Sequence, residues 1–327
     1  MHFRLAIGKG DHLFILASGA YVPQRVVDNA YFSQLTGRAT EWFEQLTGIR
    51  ERRRAAPDEN ANTMAVAAVR DLLAASPDAL AGVDLIVGTS YSPWDTVGTI
   101  AHVLQRQFAV RGAKAIYLST ACSSFLDGLE LVAAYMQSGR ARKALIVASE
   151  HNSLYSSDAD EKSGHLWGDG AAAMVIGKEA TGPATEIVDV EAVGLGDLGY
   201  GPEGIYLTPR TDGLVMRYGK DIFIHASREM VASTRNMLAR HKLTQSDLRM
   251  LVPHQANLRI IKSVVEYLDF PMERVAMTIG ELGNTGCASV PITHHRHRDG
   301  LHPGNYALWV TFGGGYSAGA ALLKRRD

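Results

Sequence analysis

Apolar residues along the chain fall into short continuous runs that alternate with stretches of helical periodicity. The runs at 115–118 and 143–149 have the length and composition of buried strands, and the stretch 125–135 carries apolar residues at roughly helical spacing. The same criteria predict helices at 63–73 and 100–108. Strands that alternate with helices are typical of mostly parallel, buried sheets, so the predicted fold class is α/β.

The second half of the chain repeats the order of blocks in the first half. The strand-like run at 83–87 has a counterpart at 248–252, and each half carries a glycine-rich turn before its last apolar run. Blocks that recur in the same order indicate a duplicated unit. We therefore predict two fused copies of one α/β unit, 1–180 and 181–327, with a Thr-Gly-Pro turn at the boundary.

Composition narrows the class of protein. Of 327 residues, 46% are hydrophobic, and the net charge of −1 gives no electrostatic reason to expect a nucleic acid or an anionic membrane as partner. Two cysteines are too few for a disulfide-stabilised secreted scaffold. No apolar run approaches the ~18 residues of a membrane-spanning helix, and residues 1–11 lack a signal-peptide core. We therefore expect a cytoplasmic protein.

Cys122 is the candidate nucleophile, because it lies where the predicted strand 115–118 turns into a helix. Unpaired N–H groups and the helix dipole at such a position favour the thiolate, which is the nucleophilic form of cysteine. The neighbours Ala121, Ser123 and Ser124 are small and leave space around the sulfur. A buried structural cysteine is the alternative, and this stretch alone leaves it open.

Two further polar residues stand at comparable positions in the second half. His254 follows a predicted strand and precedes a helix, and Asn284 lies in a loop of small residues before another helix. A single histidine or asparagine is most often structural. A cysteine, a histidine and an asparagine at strand-to-helix edges of a duplicated fold form a much narrower pattern, which indicates an active site.

Taken together, these blocks resemble the thiolase superfamily, and specifically the β-ketoacyl-acyl-carrier-protein synthase III group. The resemblance runs from about residue 13 to residue 324 and is carried by the segments 46–53, 121–122, 167–172, 252–260, 283–291 and 312–320. It implies a duplicated, five-layered αβαβα sandwich and a homodimer. It also implies that Cys122 is the acylated nucleophile and that His254 and Asn284 complete a catalytic triad.

The resemblance further implies the reaction, a decarboxylative Claisen condensation of an acyl thioester with malonyl-acyl carrier protein. His254 and Asn284 would stabilise the enolate, and the backbone N–H groups of Cys122 and Gly314 would form the oxyanion hole. No metal and no bound cofactor are implied, because the acyl group arrives as a thioester of coenzyme A or of a carrier phosphopantetheine. The implied substrate-binding residues are Trp42, Val97, Phe223, Arg259 and Phe312.

The chain departs from the family pattern at several positions. Leu46 and Glu161 stand where well-studied members carry nucleotide-contacting arginines. Basic positions associated with carrier docking are replaced by Ile224, Glu266 and Tyr267. These departures indicate a specialised or secondary-metabolism member rather than the enzyme that initiates housekeeping fatty acid synthesis.

Val97 aligns with a position at which members that prefer two-carbon primers place a phenylalanine. A smaller side chain there predicts a deeper pocket and a preference for medium-length acyl groups. Two other functions stay open. One is acyl transfer to a different acceptor, such as a β-ketoacyl thioester, an alcohol or an amine; the other is a non-condensing partner subunit.

Two clusters of charged residues have a simpler explanation than ligand binding. The basic cluster at 50–54 could hold a phosphate, but we expect a solvent-exposed face. The histidine-rich segment at 293–298 has residue types that could bind a metal ion, but such tracts are weak indications of a metal site. By the resemblance, the segment belongs to a surface helix.

Overall fold

The computed structural model describes residues 12–327, so the features predicted for 1–11 lie outside the described residues. The strands are β1 (Leu13–Tyr21), β2 (Arg25–Asp28), β3 (Glu51–Arg54), β4 (Leu85–Thr89), β5 (Lys114–Leu118), β6 (Lys143–Glu150), β7 (Gly170–Gly177), β8 (Thr185–Gly194), β9 (Ile205–Thr208), β10 (Gly213–Met216), β11 (Leu248–Pro253), β12 (Tyr306–Gly313) and β13 (Ser317–Arg325). The helices are α1 (Asn29–Thr36), α2 (Thr40–Thr47), α3 (Ala61–Ala75), α4 (Ile100–Gln107), α5 (Ser124–Gln137), α6 (Asn152–Tyr155), α7 (Gly219–Arg240), α8 (Leu258–Leu268), α9 (Ile279–Leu282) and α10 (Ser289–His297).

The large sheet shows the duplication directly. Its strands run in the order β11-β12-β13-β8-β1-β7-β6-β4-β5. In the C-terminal half, Val275 makes an isolated parallel bridge to Leu251 of β11, in the place that β5 occupies beside β4. Numbered along the chain within each half, both halves therefore follow the order 3-2-4-5-1. The halves join where β1 and β8 pair antiparallel. The division into two domains at residue 180 stays a prediction.

Helices separate and cover the two halves of the sheet. Helix α5 contacts β4 and β6 on one side and β8 and β13 on the other, and α10 likewise contacts β1 and β7 as well as β11 and β12. Helices α3 and α4 cover the outer face of the N-terminal half, and α7 covers that of the C-terminal half with α8 packed against it. Each interface has its own apolar core. The five-layered αβαβα sandwich predicted from the resemblance is confirmed.

The basic cluster of strand β3 is not the solvent-exposed face that we predicted. Arg52 is fully buried, and its guanidinium donates hydrogen bonds to the carbonyl of His165 and, at 3.0 Å, to Oδ1 of Asn29. Arg54 is also buried and pairs with Asp158 at 2.5 Å. Alternation along the strand turns these two side chains inward, where backbone and carboxylate oxygens replace water.

Helix α10 is not the surface helix that we predicted, because most of it lies between the two halves of the large sheet. His294 is buried, and its Nδ1 accepts a hydrogen bond from the indole N–H of Trp309 at 3.2 Å. His297 is exposed, and its Nε2 lies 3.2 Å from the carbonyl of Met277. Within residues 12–327, no group of three His, Cys, Asp or Glu side chains is placed to hold a metal ion. In the same range, no helix has both the length and the hydropathy to cross a bilayer.

The burial of His294 predicts an acid-sensitive fold. Burial, with a contribution from nearby cationic side chains, lowers the pKa of His294 to about 3, whereas an unfolded histidine titrates near ~6.5. Between these values the unfolded chain binds more protons, so stability falls as the pH falls through this window. Between pH 7 and pH 4.5, we expect the unfolding free energy of His294→Gln to fall by about 2.5 kcal/mol less than that of the wild type. Urea unfolding at both pH values measures this; equal losses in the two proteins would contradict it.

Candidate active site

Cys122 lies in a sharp turn between β5 and α5. Ala121 has a φ of +51°, in the left-handed region that residues other than glycine seldom adopt. Hydrogen bonds fix this conformation: the Ser124 hydroxyl donates to the carbonyl of Ala121 at 2.6 Å and accepts the N–H of Thr120 at 2.8 Å. The turn therefore holds the Cys122 side chain in one place, as the strand-to-helix position predicted.

The glycine loop that follows β12 packs against this turn. A Cβ at Gly313 would stand 2.9 Å from the backbone nitrogens of Cys122 and Ser123, so only glycine allows the contact. The backbone N–H groups of Gly314 and of Cys122 itself both donate toward the Cys122 sulfur. The two donors predicted for the oxyanion hole thus lie beside the candidate nucleophile.

His254 follows the end of β11 and is buried. Its backbone N–H donates to the carbonyl of Val310 at 2.8 Å, and its ring Nδ1 lies 2.8 Å from the hydroxyl of Ser289. We assign the Ser289 hydroxyl as the donor, which leaves the proton on Nε2. Burial lowers the pKa of His254 to about 4, so the ring is neutral at pH 7.

Asn284 is held by hydrogen bonds from the first half of the chain. Its backbone N–H donates to the carbonyl of Leu166 at 2.8 Å, and its carbonyl accepts from the N–H of Gly168 at 3.0 Å. The side-chain Oδ1 accepts the N–H of Gly286 at 3.0 Å. Because Oδ1 is engaged, the amide nitrogen is the group left to meet a ligand.

One cavity brings these groups together. Cys122, His254, Asn284, Gly314 and Phe312 all line it, and its volume is about 30 Å³, room for a single water molecule. The remaining lining residues are mostly apolar: Ile205, Met216, Ile222, Ala226, Met230, Ala256, Ile260 and Gly313. The site is thus a small, mostly apolar pocket with a few convergent donors around one thiol, which is suited to thioester chemistry.

The electrostatics of Cys122 differ from our prediction. Burial raises the pKa of its thiol to about 12, and the nearby carboxyl of Glu150 adds to the effect. The backbone donors at Gly314 and Cys122 act in the opposite direction but are outweighed. The backbone donors favour the thiolate, as we predicted, but in the unliganded protein the desolvation cost exceeds this local stabilisation.

Glu150 is a buried residue that our sequence reading did not single out. Its carboxyl accepts the hydroxyls of Ser90 and Ser92 at 2.9 and 2.5 Å, and the backbone N–H groups of Ser92 at 3.0 Å and Cys287 at 3.3 Å. A charged residue at the end of the apolar run 143–149 was the available signal. Glu150 ties the loop after β4 to the segment that follows Asn284.

The other predicted substrate-binding residues lie away from this cavity. Trp42 lines an open surface cleft of about 790 Å³ together with Leu46 and Glu161. Met216 lines both this cleft and the Cys122 cavity, so the two adjoin. Arg38 stacks over the Trp42 ring at 5.0 Å. The cleft that Trp42 lines therefore lies next to the Cys122 cavity.

Phe223, Val97 and Arg259 lie on other surfaces. Phe223 lines a groove of about 470 Å³ with Ile224 and Tyr267, whose side chains are exposed. Val97 is 84% exposed, in the loop that follows β4. Arg259 is exposed at the start of α8. The structure thus brings together the predicted catalytic residues and Phe312, but not these three.

Comparison with known proteins places the chain among condensing enzymes. Residues 117–194 match the family model of 3-oxoacyl-[acyl-carrier-protein] synthase III, and residues 238–325 match that of its C-terminal part. Beta-ketoacyl-[acyl-carrier-protein] synthase III 2 of Deinococcus radiodurans is 35% identical over 95% of this chain and 94% of its own length.

Solved structures agree. The synthase III of Thermus thermophilus has a TM-score of 0.87 and 35% identity, covering 95% of this chain and 98% of its own. The priming beta-ketosynthase of the R1128 polyketide pathway has a TM-score of 0.87 and 31% identity, covering 100% of this chain and 99% of its own.

Proposed function

Because this chain belongs to the 3-oxoacyl-[acyl-carrier-protein] synthase III family, we propose that it condenses an acyl thioester with malonyl-acyl carrier protein through an acyl-Cys122 intermediate. One observation carries the proposal: Cys122, His254, Asn284 and Gly314, from separate loops of both halves, line the same cavity. A buried structural cysteine would not need hydrogen-bond donors from four segments around it.

Acylation is the first step. The Cys122 sulfur attacks the thioester carbon of the donor, the bond from that carbon to the donor sulfur breaks, and the thiol proton leaves with the donor thiol. The oxyanion that forms on the way accepts the N–H groups of Cys122 and Gly314. The product is another thioester of similar energy. Because the thiol is protonated before reaction, proton transfer accompanies attack.

Condensation follows on the same carbon. The malonyl group loses carbon dioxide, and the electron pair of the broken C–C bond forms an enolate. Its oxygen accepts hydrogen bonds from Nε2 of His254 and the amide of Asn284. The enolate carbon attacks the acyl-Cys122 carbonyl, the C–S bond breaks, and the released sulfur takes up a proton from the solvent. A neutral histidine suits this role, since it must donate without being ionised.

The substrate partner is an acyl carrier protein or coenzyme A, with no resident cofactor. We propose a homodimer, as the family resemblance implies, in which the second chain would cover Val97, a side chain that is 84% exposed in the single chain. Both cysteines are free thiols, which fits a reducing cytoplasm. Leu46 and Glu161 lie in the Trp42 cleft, at positions where well-studied members carry nucleotide-contacting arginines. Their presence favours an acyl donor other than the nucleotide-bearing donor of those members.

Intact-mass spectrometry separates this proposal from its alternatives. The protein is incubated with acyl thioesters and then with malonyl carrier. An acyl adduct followed by carbon dioxide release and a β-ketoacyl product supports condensation. An adduct that passes to a β-ketoacyl thioester, an alcohol or an amine without decarboxylation supports the alternative acceptor. The absence of any adduct supports a non-condensing partner subunit.

The position of Val97 gives a prediction about chain length. If Val97 closes the acyl pocket of a partner protomer, its small side chain leaves room for further methylenes, each worth up to ~0.8 kcal/mol when buried. We expect hexanoyl and octanoyl thioesters to acylate Cys122 faster than acetyl in the wild type, and Val97→Phe to reverse this order. Val26→Phe, at a half-exposed valine of β2, is the matched control. If acetyl is fastest in the wild type, the pocket argument fails.

A further inference from the structure

Tyr91 places a buried hydroxyl beside Cys122. Its ring packs against Gly286, where an added Cβ would lie 2.7 Å from the ring edge and the hydroxyl. The hydroxyl faces the Cys122 thiol closely enough to interact with it. It makes no hydrogen bond of normal geometry to any of the described residues, and it is closed to solvent. A buried donor left in this state destabilises a protein unless a ligand satisfies it.

The backbone around Tyr91 is fixed, so the hydroxyl is not free to seek another partner. The carboxyl of Glu150 accepts the N–H of Tyr91 at 3.2 Å and that of Ser92 at 3.0 Å, as well as the hydroxyls of Ser90 and Ser92. All four donors converge on one buried carboxyl. The position of the phenol beside the thiol is therefore built into the fold.

The free volume around the sulfur decides where an acyl group lies. The cavity on the side of His254 and Asn284 is about 30 Å³, and in the proposed reaction the malonyl group must occupy that side. The Tyr91 hydroxyl contacts the same sulfur, so the acyl group that becomes attached to this sulfur must lie beside the phenol. Once Cys122 is a thioester, its sulfur is a poor hydrogen-bond acceptor. The phenol then pairs with the acyl chain or remains unpaired.

We propose that Tyr91 lines the acyl subsite and that its hydroxyl selects acyl groups with an oxygen acceptor close to the thioester, such as 3-hydroxyacyl or 3-oxoacyl groups. This rests on the proposed acyl-Cys122 chemistry. Tyr91 acts at the end of the acyl group nearest the sulfur. Its effect on the preferred polarity of the acyl group is therefore separate from the effect of Val97 on the preferred chain length.

The test compares a butyryl donor with hydroxybutyryl donors of nearly equal thioester reactivity. Rates of Cys122 acylation are measured by intact mass with N-acetylcysteamine thioesters of butyrate and of each 3-hydroxybutyrate enantiomer. These thioesters contain neither coenzyme A nor a carrier protein, so the comparison does not depend on which of the two delivers the acyl group. We compare the acylation rate with the preferred 3-hydroxybutyryl enantiomer to the rate with butyryl. We expect this ratio to be about 10-fold higher in the wild type than in Tyr91→Phe. Tyr117→Phe is the matched control, because that buried hydroxyl already donates to the Ser90 carbonyl at 2.5 Å, and its ratio should equal that of the wild type.

The possible outcomes separate the two proposals. If Tyr91→Phe slows both donors equally, the hydroxyl acts on the thiol or the carbonyl, and the selectivity proposal is overturned. An unchanged ratio with normal adducts also overturns it while leaving the condensing function in place. If no donor acylates the wild type, the proposed function fails and the selectivity fails with it. Cooperative thermal unfolding and a wild-type circular dichroism spectrum of both tyrosine variants exclude misfolding as the cause.

Discussion

Cys122→Ala is expected to abolish covalent acylation of the protein and to leave its fold intact. The reason is that Cys122 alone combines a thiol with two backbone donors in a cavity. The other cysteine, Cys287, is buried against Thr89 and does not line that cavity. We expect the acylation rate to fall at least ~1000-fold, as for the loss of other catalytic nucleophiles. Alanine should fit, because the neighbouring residues are already small. Intact mass after incubation with acyl thioesters measures the adduct, and circular dichroism checks the fold.

Cys287→Ala is the control for this experiment, and it should still be acylated at Cys122. An adduct that persists in Cys122→Ala, mapped to another residue by peptide mass, would overturn the assignment of the nucleophile. So would a Cys287→Ala protein that folds normally but takes up no acyl group.

His254→Ala and Asn284→Ala are expected to separate acylation from condensation. Neither side chain is needed to form acyl-Cys122, so the adduct should appear at close to the wild-type rate. Each is proposed to donate to the enolate oxygen, and removal of one oxyanion donor typically costs about 100-fold or more. Carbon dioxide release from malonyl carrier, measured on the pre-acylated protein, should fall by that factor. Because burial lowers the pKa of His254 to about 4, the wild-type rate should not fall between pH 8 and pH 6 through protonation of this ring.

His302→Ala is a suitable control, because that histidine is exposed and does not line the cavity. A variant of His254 or Asn284 that releases carbon dioxide at the wild-type rate would remove that residue from the mechanism. A variant that fails to acylate would instead give the residue a role in the first step.

The sequence predicted those parts of the molecule that depend on local pattern. The position of Cys122 followed from a strand run, a helix run and small residues between them, all within about 20 residues. The duplication followed from the order of blocks. It extends to the bridge between Val275 and β11, which stands where β5 pairs with β4 in the first half. These features can be predicted without knowing which helices and strands pack against each other.

The features that the sequence did not predict depend on distant contacts. Arg52 and Arg54 read as solvent-exposed because their acceptors, the carbonyl of His165 and the carboxylate of Asp158, are about a hundred residues away. Glu150 is buried only because the loop after β4 and the segment around Cys287 supply its donors. In each case, tertiary packing overrides the ordinary exposure of a charged side chain.

The high pKa of the Cys122 thiol also bears on how the protein survives between turnovers. Peroxide and alkylating reagents attack the thiolate, and a buried thiol whose pKa is about 12 is almost wholly protonated at neutral pH. We therefore expect the resting protein to react slowly with peroxide and with general thiol reagents. A covalent inhibitor would need a group that accepts the proton of the Cys122 thiol. A thioester substrate contains such a group, because its departing sulfur takes up that proton.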